Sequence, residues 1–291
     1  MKTKWLCLLL IIMLFPVCAA AEKRVVNLAA APDTEWAFEE GAEILEVYFP
    51  PLKGADACIL RMGNQVVMVD AATAGQRERV AATMQEVGID HIDLAFNTHP
   101  HDDHIEGFQF VPNVAPMSWM VIAFAENINN HMIKTLKAMK EQNIPVYRAS
   151  DGARFSLGNA EVLVIQKTEN WFSMNDRSAM LLIQLGECRL LLTADVERDA
   201  QNLLLKACPE LLEADIFKYP HHGVTRAGWN FIKHIDAELA VITNEREKTA
   251  SASEDAENKM LPLLYTGDGM IRLRTDGHIW VVDQWQPEAL Q

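Results

Sequence analysis

Cysteine is scarce in this chain, and its number excludes a disulfide framework. Two of the five cysteines, Cys7 and Cys18, lie near the N-terminus. Three others remain, Cys58, Cys188 and Cys208, and an odd number is not typical of a small exported domain held together by disulfides. Cys58 and Cys188 lie in strand-like runs, so we expect small buried residues there rather than metal ligands.

Positive charge is also in short supply. The chain has 26 Lys and Arg against 40 Asp and Glu, which gives a formal net charge of −14. Such a surface repels polyanions, so broad electrostatic binding of nucleic acid is not expected. No linker rich in Gly, Pro or Ser divides the chain. We therefore expect residues 22–291 to form a single domain, either as one core or as two closely packed halves.

The N-terminal segment 1–21 has the pattern of a signal peptide. Lys2 and Lys4 precede an apolar run that is too short to span a membrane comfortably, and Cys18–Ala21 supplies small residues for a signal peptidase. An uncleaved anchor and a lipid on Cys18 are the alternatives, although Val17 replaces the small residue expected for lipidation. Cleavage predicts an exported protein, whether extracellular, periplasmic or at the cell surface, with no stable transmembrane span.

Apolar spacing predicts alternating strands and helices after this segment. Residues 57–62 and 65–70 flank a Gly-Asn turn and form a predicted hairpin. Helical spacing follows over residues 76–87, 128–140 and 196–207. Strands placed between such helices predict a mixed α/β fold.

The densest group of possible metal ligands is the segment 97–107, Asn-Thr-His-Pro-His-Asp-Asp-His-Ile-Glu-Gly, which follows a predicted strand. Unpaired buried polar groups cost about 1–3 kcal/mol each, so His99, His101, Asp103 and His104 together predict a bound cation. The two side chains of His-x-His can point the same way, whereas Asp103 and His104 diverge toward a second position. This spacing predicts two metals. Nitrogen and oxygen ligands favour zinc, with manganese or iron as alternatives, and a solvated polar loop is the competing interpretation.

Two later strand ends carry further candidates. One predicted hairpin ends on Asp195, whose burial is unfavourable unless a charged group receives it. Capping the following helix is the alternative role for Asp195, because aspartate is a favoured N-cap. The next predicted strand ends on Pro220-His221-His222-Gly223.

The order of these parts resembles the metallo-β-lactamase superfamily, and within it the branch containing the extracellular hydrolase domain of ComEC-type competence proteins. That branch has an Asn-x-x-Ser strand, a Thr-Gly-Asp strand end and a His-His-Gly-Ser turn. Here they read Asn175-Asp176-Arg177-Ser178, Thr193-Ala194-Asp195 and His221-His222-Gly223-Val224. The likeness covers roughly residues 43–283, and the motifs are specific when taken together. It implies a four-layer αββα sandwich with the metals at one edge, between two sheets.

The resemblance also implies six metal ligands, which are His99, His101, Asp103, His104, Asp195 and His222. The first two would hold one ion, the next two the other, Asp195 would bridge the ions, and His222 would complete the second site. His221 would contact a substrate oxygen or leaving group, although the sequence does not order His221 and His222. Asp103 would also orient the attacking hydroxide or accept its proton.

This chain departs from the superfamily pattern near Asn175 and Ser178, where many members supply a further histidine to the first metal. We expect the first site to be weak, empty until substrate binds, or completed by Asn175 or water. Both residues are candidate substrate contacts. Ala194 replaces Gly and Val224 replaces Ser without removing a proposed ligand, although Val224 could remove a hydrogen bond to a substrate phosphate.

The function implied by the resemblance is that of an exported hydrolase using metal-activated hydroxide, with one or two bound zinc ions, or manganese as the alternative. The competence branch favours a phosphodiester substrate, and the acidic charge favours a small or envelope substrate over long DNA. Two alternatives stay open. One is a hydrolase of carbonyl substrates such as β-lactams or lactones, and the other is a non-catalytic binding descendant of the fold.

Overall fold

The computed structural model describes residues 23–29, 36–249, 252, 254 and 258–291. The predicted signal peptide over residues 1–21 lies outside these residues. Within the described part of the chain, no helix has the length and apolarity needed to cross a membrane. The single-domain expectation for residues 22–291 stays a prediction.

Sixteen strands and five α-helices make up the regular structure of the described ranges. The strands are β1 (Val25–Asn27), β2 (Leu45–Phe49), β3 (Ala57–Met62), β4 (Gln65–Ala71), β5 (Ile92–Asn97), β6 (Met117–Ile122), β7 (Val146–Arg148), β8 (Arg154–Leu157), β9 (Ala160–Ile165), β10 (Met180–Leu185), β11 (Cys188–Leu192), β12 (Ile216–Lys218), β13 (Leu239–Ile242), β14 (Leu263–Tyr265), β15 (Met270–Thr275) and β16 (Trp280–Trp285). The helices are α1 (Arg77–Glu86), α2 (Asp102–Ile105), α3 (Asn130–Glu141), α4 (Arg198–Ala207) and α5 (Trp229–Ile235).

The strands form two sheets. Nine strands run in the order β1-β16-β15-β2-β3-β4-β5-β6-β7, and seven run in the order β14-β13-β12-β11-β10-β9-β8. Two sheets with helices on their outer faces confirm the predicted αββα sandwich.

Alternation along β10 shows how the layers form. Leu181 and Ile183 are buried in the core shared with the nine-stranded sheet, whereas Met180 and Leu182 are buried in a second core with α4 and α5. Successive side chains of a strand point to opposite faces, so a continuously apolar strand has both faces covered. The free cysteines Cys58, Cys188 and Cys208 are also buried.

The site residues follow parallel strands, which explains why they meet. Strands β4, β5 and β6 are parallel neighbours in one sheet, and β11, β12 and β13 are parallel neighbours in the other. Parallel strands bring their carboxyl ends to one edge, where ligands usually bind. The segments after β5, β11 and β12 carry the three predicted ligand motifs.

Gly107 allows the loop after α2 to pack closely against β4. Its amide donates to the Ala72 carbonyl at 2.9 Å, and a Cβ added at Gly107 would lie 1.6 Å from the Ala71 carbonyl oxygen. We expect Gly107→Ala to lower the free energy of unfolding by about 3 kcal/mol, since backbone must move to accommodate the methyl group. Denaturant unfolding measures this loss. The control is Gly75→Ala, because the added Cβ there meets nothing nearer than 3.7 Å; equal losses in the two variants would contradict the close-packing explanation.

Candidate metal centre

The structure brings all six sequence-predicted ligands to one edge of the sandwich. Their centre is the Oδ2 atom of Asp195. It lies 3.2 Å from His104 Nε2 and 3.4 Å from His222 Nε2, and slightly farther, 3.7 Å, from His99 Nε2. This oxygen is buried and has no hydrogen-bond partner among the described residues. Since buried carboxylate oxygens are normally paired, its surroundings have the chemistry of a cation site.

Two imidazoles are turned toward this oxygen by carboxylates behind them. His104 Nδ1 donates to Asp70 Oδ2 at 2.7 Å, and His222 Nδ1 donates to Asp56 Oδ1 at 3.0 Å. Their Nε2 atoms lie only 3.3 Å apart. A carboxylate that accepts one ring N–H leaves the other nitrogen available to a metal, and this is the usual arrangement around metal-bound histidine.

A carboxylate from the first motif completes this group, because Asp103 Oδ2 lies 3.3 Å from His222 Nε2. Asp56 also lies close, and Asp56, His104, Asp195 and His222 offer ligand atoms within 4.8 Å of one another. However, Asp56 already accepts from His222 and from Thr243 Oγ1, and it pairs with Lys218. Asp56 therefore fits an orienting role better than that of a ligand.

His99 and His101 form the other half of the cluster. His99 is fully buried, and its Nε2 lies 3.1 Å from His101 Nδ1. Burial lowers the pKa of His99 well below its usual value, and the neighbouring His104 lowers it further. The pKa of His101 is also lowered, mainly by burial. Both rings are thus kept in the neutral form that binds metals.

The pKa values of His104 and His222 are shifted in the opposite direction, because carboxylates surround these two rings. Burial acts to lower the pKa of His104, but Asp195 and Asp70 outweigh it and raise the value to about 10. The pKa of His222 is likewise raised well above its ordinary value, since Asp195 and Asp56 outweigh burial. This half of the cluster therefore favours positive charge, which a divalent ion can supply in place of protons.

Lys218 is a site residue that the sequence reasoning missed. Its side chain is buried, and Nζ donates to the Ala194 carbonyl at 2.8 Å, to Asp195 Oδ1 at 3.3 Å and to Asp56. Burial acts to lower the pKa of Lys218, but the two carboxylates raise it above its usual value. Lys218 thus donates to Oδ1 of Asp195, and the other oxygen, Oδ2, faces the imidazoles. The available signal was a lysine within an otherwise apolar strand.

Helix capping does not account for Asp195. Helix α4 begins at Arg198, and Asp176 Oδ1 accepts from the amides of Glu197 and Ala200 at 3.1 and 2.9 Å. Because Asp176 satisfies these amides, Asp195 can face the imidazole cluster.

Several site residues adopt left-handed backbone conformations, with φ of 55° at Asp70, 48° at Ala194, 50° at His221 and 49° at His222. Each costs roughly 1–2 kcal/mol for a residue other than glycine. Such strain is found at functional sites, where the surrounding structure holds it in place. Here it lets two adjacent histidines approach the same cluster.

The predicted substrate contacts lie at the edge of the site. The amide that follows Ser178 donates to the Thr98 carbonyl at 3.1 Å, and Asn175 Nδ2 donates to Glu197 Oε1 at 3.2 Å. Asn175 Oδ1 and Ser178 Oγ are buried, and neither has a hydrogen-bond partner within the described ranges. Both residues therefore hold a polar atom that is unpaired within that part of the chain and shielded from solvent.

Asp70 provides a test of the orienting carboxylates, because it also accepts from Thr98 Oγ1 at 2.5 Å. We expect Asp70→Asn to weaken metal binding by about 10–100-fold, since His104 would lose its charged partner. Competition with a chromogenic chelator measures the affinity. Asp93→Asn is the control, because Asp93 lies near the start of β5 and accepts the Val66 amide of neighbouring β4, away from the cluster; an equal effect of both changes would count against the orienting role.

This chain is similar to known proteins in sequence and in structure. The family model for the metallo-beta-lactamase superfamily matches residues 53–242. ComE operon protein 3 of Bacillus subtilis (strain 168) is 23% identical over 158 residues, which covers 54% of this chain but only 20% of that protein.

Two solved structures with low sequence identity share the fold. The metallo-beta-lactamase fold protein YhfI from Bacillus subtilis has a TM-score of 0.52 at 12% identity, covering 76% of this chain and 95% of YhfI. A mutant of CmlA beta-hydroxylase, an enzyme from Streptomyces venezuelae, has a TM-score of 0.53 at 14% identity, covering 83% of this chain and 54% of CmlA.

Proposed function

The chain belongs to the metallo-β-lactamase superfamily, and from this premise we propose that it is an exported metal-dependent hydrolase of phosphodiesters. The observation that carries the proposal is the buried Asp195 Oδ2, which has imidazole nitrogens on several sides and no hydrogen-bond partner in the described part of the chain. Zinc suits these ligands best, and manganese is the alternative.

The proposed ligands are the six residues expected from the sequence: His99, His101, Asp103, His104, Asp195 and His222. A divalent ion bound there supplies an activated water at neutral pH and charge that offsets a developing oxyanion. Asp70 and Asp56 fix the orientation of His104 and His222, while Lys218 holds Asp195. Preorganised groups of this kind need little rearrangement during the reaction.

Asp103 is the proposed residue for proton transfer. Its side chain is 27% exposed, so solvent and substrate can reach it. Burial acts to raise the pKa of Asp103, but His222 and His104 lower it below its usual value. The carboxylate is therefore ionised at neutral pH, and it can orient a water molecule or accept its proton.

Asn175 and Ser178 are the proposed contacts to substrate oxygens. Once substrate binding exposes these buried atoms, Ser178 Oγ would donate a hydrogen bond to a phosphate oxygen, and Asn175 Oδ1 would accept one from a substrate hydroxyl. Val224, at the turn after the histidines, presents an apolar side chain that is 46% exposed.

The substrate that we propose is small or part of the cell envelope. The formal charge of −14 disfavours general attraction of long nucleic acid. Export is supported by the basic start and apolar run of residues 1–21. Residues 22–291 would then be the mature protein, which we propose to be a single hydrolase domain.

Turnover of two chromogenic substrates tests the proposed reaction. We expect the zinc- or manganese-loaded protein to cleave bis-p-nitrophenyl phosphate faster than a chromogenic cephalosporin, and His101→Ala to abolish this cleavage. His234→Ala is the control, because His234 donates to the Pro209 carbonyl away from the cluster. Preferential cephalosporin cleavage would instead establish the carbonyl hydrolase, and turnover of neither compound would favour the non-catalytic descendant.

A further inference from the structure

The half of the cluster around His99 and His101 lacks the third histidine that the superfamily pattern places near Asn175 and Ser178. We propose that His221 supplies this imidazole, so that His99, His101 and His221 hold a first ion beside Asp195. The inference rests on the proposed metal-dependent function. It gives His221 a different role from the substrate contact that the sequence suggested.

The distances to Asp195 support this assignment. His221 Nε2 lies 3.8 Å from Asp195 Oδ2, close to the 3.7 Å that separates His99 Nε2 from the same oxygen. His104 and His222 approach that oxygen more closely, at 3.2 and 3.4 Å. One carboxylate oxygen thus has four imidazole nitrogens around it. With His221 included, these nitrogens can be divided between two ions.

His221 is also oriented as a ligand would be. Its Nδ1 lies 3.0 Å from Glu197 Oε1 and 3.2 Å from Thr225 Oγ1. A proton on Nδ1, beside these two oxygens, would leave the lone pair on Nε2, which lies 3.8 Å from Asp195 Oδ2. His104 with Asp70 and His222 with Asp56 have the same arrangement of ring and carboxylate, which is the arrangement usual for metal-bound histidine.

Asn175, in the region where many members carry the further histidine, contacts the carboxylate beside His221. Asn175 Nδ2 donates to the same Glu197 oxygen at 3.2 Å. Asn175 and His221 therefore share the Glu197 carboxylate. Glu197 acts here as a positioning residue, because it contacts the ring and not the ion.

The backbone supports the placement of His221. Its φ of 50° and ψ of 49° are left-handed, and its amide donates to the Ala194 carbonyl at 3.1 Å. His222 is left-handed as well, and the two rings have centroids 6.0 Å apart with an angle of 65° between their planes. Two adjacent residues can therefore present differently oriented imidazoles to the cluster.

Zinc stoichiometry and affinity test the assignment without relying on turnover. Purified protein is stripped with a chelator, titrated with zinc by isothermal calorimetry, and checked by elemental analysis. We expect two ions in the wild type and one in His221→Ala. In Glu197→Gln we expect two ions, with the weaker affinity reduced about 10–100-fold. His222→Ala should also bind one ion, and His234→Ala should match the wild type.

Cobalt substitution distinguishes loss of a ligand from loss of folding. In His221→Ala the visible absorption of the cobalt-loaded protein should fall by about half while near-UV circular dichroism is unchanged. If His221→Ala misfolds, the affinity of Glu197→Gln for the weaker-bound zinc ion tests the role of His221 instead. The inference would be overturned if His221→Ala bound two ions with unchanged affinity, or if the wild type bound only one ion. Either result would leave the hydrolase proposal standing. A wild type that binds no ion would overturn both.

Discussion

Lys218→Met is expected to lower the free energy of unfolding of the metal-free protein by about 3–5 kcal/mol. The reason is that Lys218 Nζ is the buried cation shared by Asp56 and Asp195, and removing one partner of a buried ion pair leaves uncompensated charge. Methionine has a similar length and apolar stem, so the effect of lost packing is kept small. Urea unfolding in the presence of a chelator measures the difference.

Lys248→Met is the matched control for this prediction. Lys248 pairs with Glu245 at 2.8 Å, but its side chain is 60% exposed. Exposed ion pairs contribute about 0–1 kcal/mol, so this variant should unfold almost as the wild type does. A Lys218→Met variant that is as stable as Lys248→Met would show that the buried carboxylates do not depend on the lysine.

Asp103→Asn is expected to lower kcat/KM for bis-p-nitrophenyl phosphate by about 10²–10⁴-fold. An amide cannot accept the proton of a water molecule, and general base catalysis typically contributes a factor of this size. It is also a poorer metal ligand than a carboxylate, so metal content is measured on the same preparation. The comparison is made at saturating zinc to separate weaker metal binding from lost proton transfer.

Asp102→Asn gives the control for Asp103, because Asp102 is the neighbouring acid and its side chain is exposed. It removes the same charge within one residue and should keep kcat/KM within about twofold of the wild type, as surface changes usually do. Equal losses in the two variants would indicate that net charge near the site, rather than the Asp103 carboxylate, determines the rate.

Local patterns in the sequence predicted most of the fold. The hairpin predicted over residues 57–62 and 65–70 corresponds to β3 and β4, and the helix predicted over residues 76–87 corresponds to α1. These elements have strong periodicity and turn signals of their own. The helix predicted over residues 196–207 begins two residues later, at Arg198, because Asp176 provides the cap from a distant part of the chain.

The predicted ligand positions came from three short motifs, each at the end of a predicted strand. Sequence spacing does not show which strand ends are neighbours in space. The prediction that the three motifs meet at one site therefore depended on the resemblance to the superfamily. Asp195 and His222 lie close together because they follow β11 and β12, which are parallel neighbours in the sheet. The superfamily membership and the sandwich fold are confirmed, while the role of each residue stays a prediction.

The supporting residues could not be found from local patterns. Asp56 contacts His222 across 166 positions of sequence, and Lys218 contacts Asp195 across 23. Glu197 lies in an ordinary helix start, where an acidic residue stabilises the helix dipole without any further role. Only the packing of the two sheets reveals that all three side chains support the same cluster, Asp56 and Lys218 as an ion pair and Glu197 beside His221. Lys218, in an apolar strand, was the one that the sequence could have indicated.

Anomalous diffraction from crystals grown with zinc tests most directly whether the cluster around Asp195 binds metal. Data collected above and below the zinc edge locate the ion independently of activity. We predict a strong peak about 2.0–2.2 Å from Asp195 Oδ2 and from the Nε2 atoms of His104 and His222. Full zinc loading with peaks only at surface residues, and none near Asp195, would contradict the proposed metal centre.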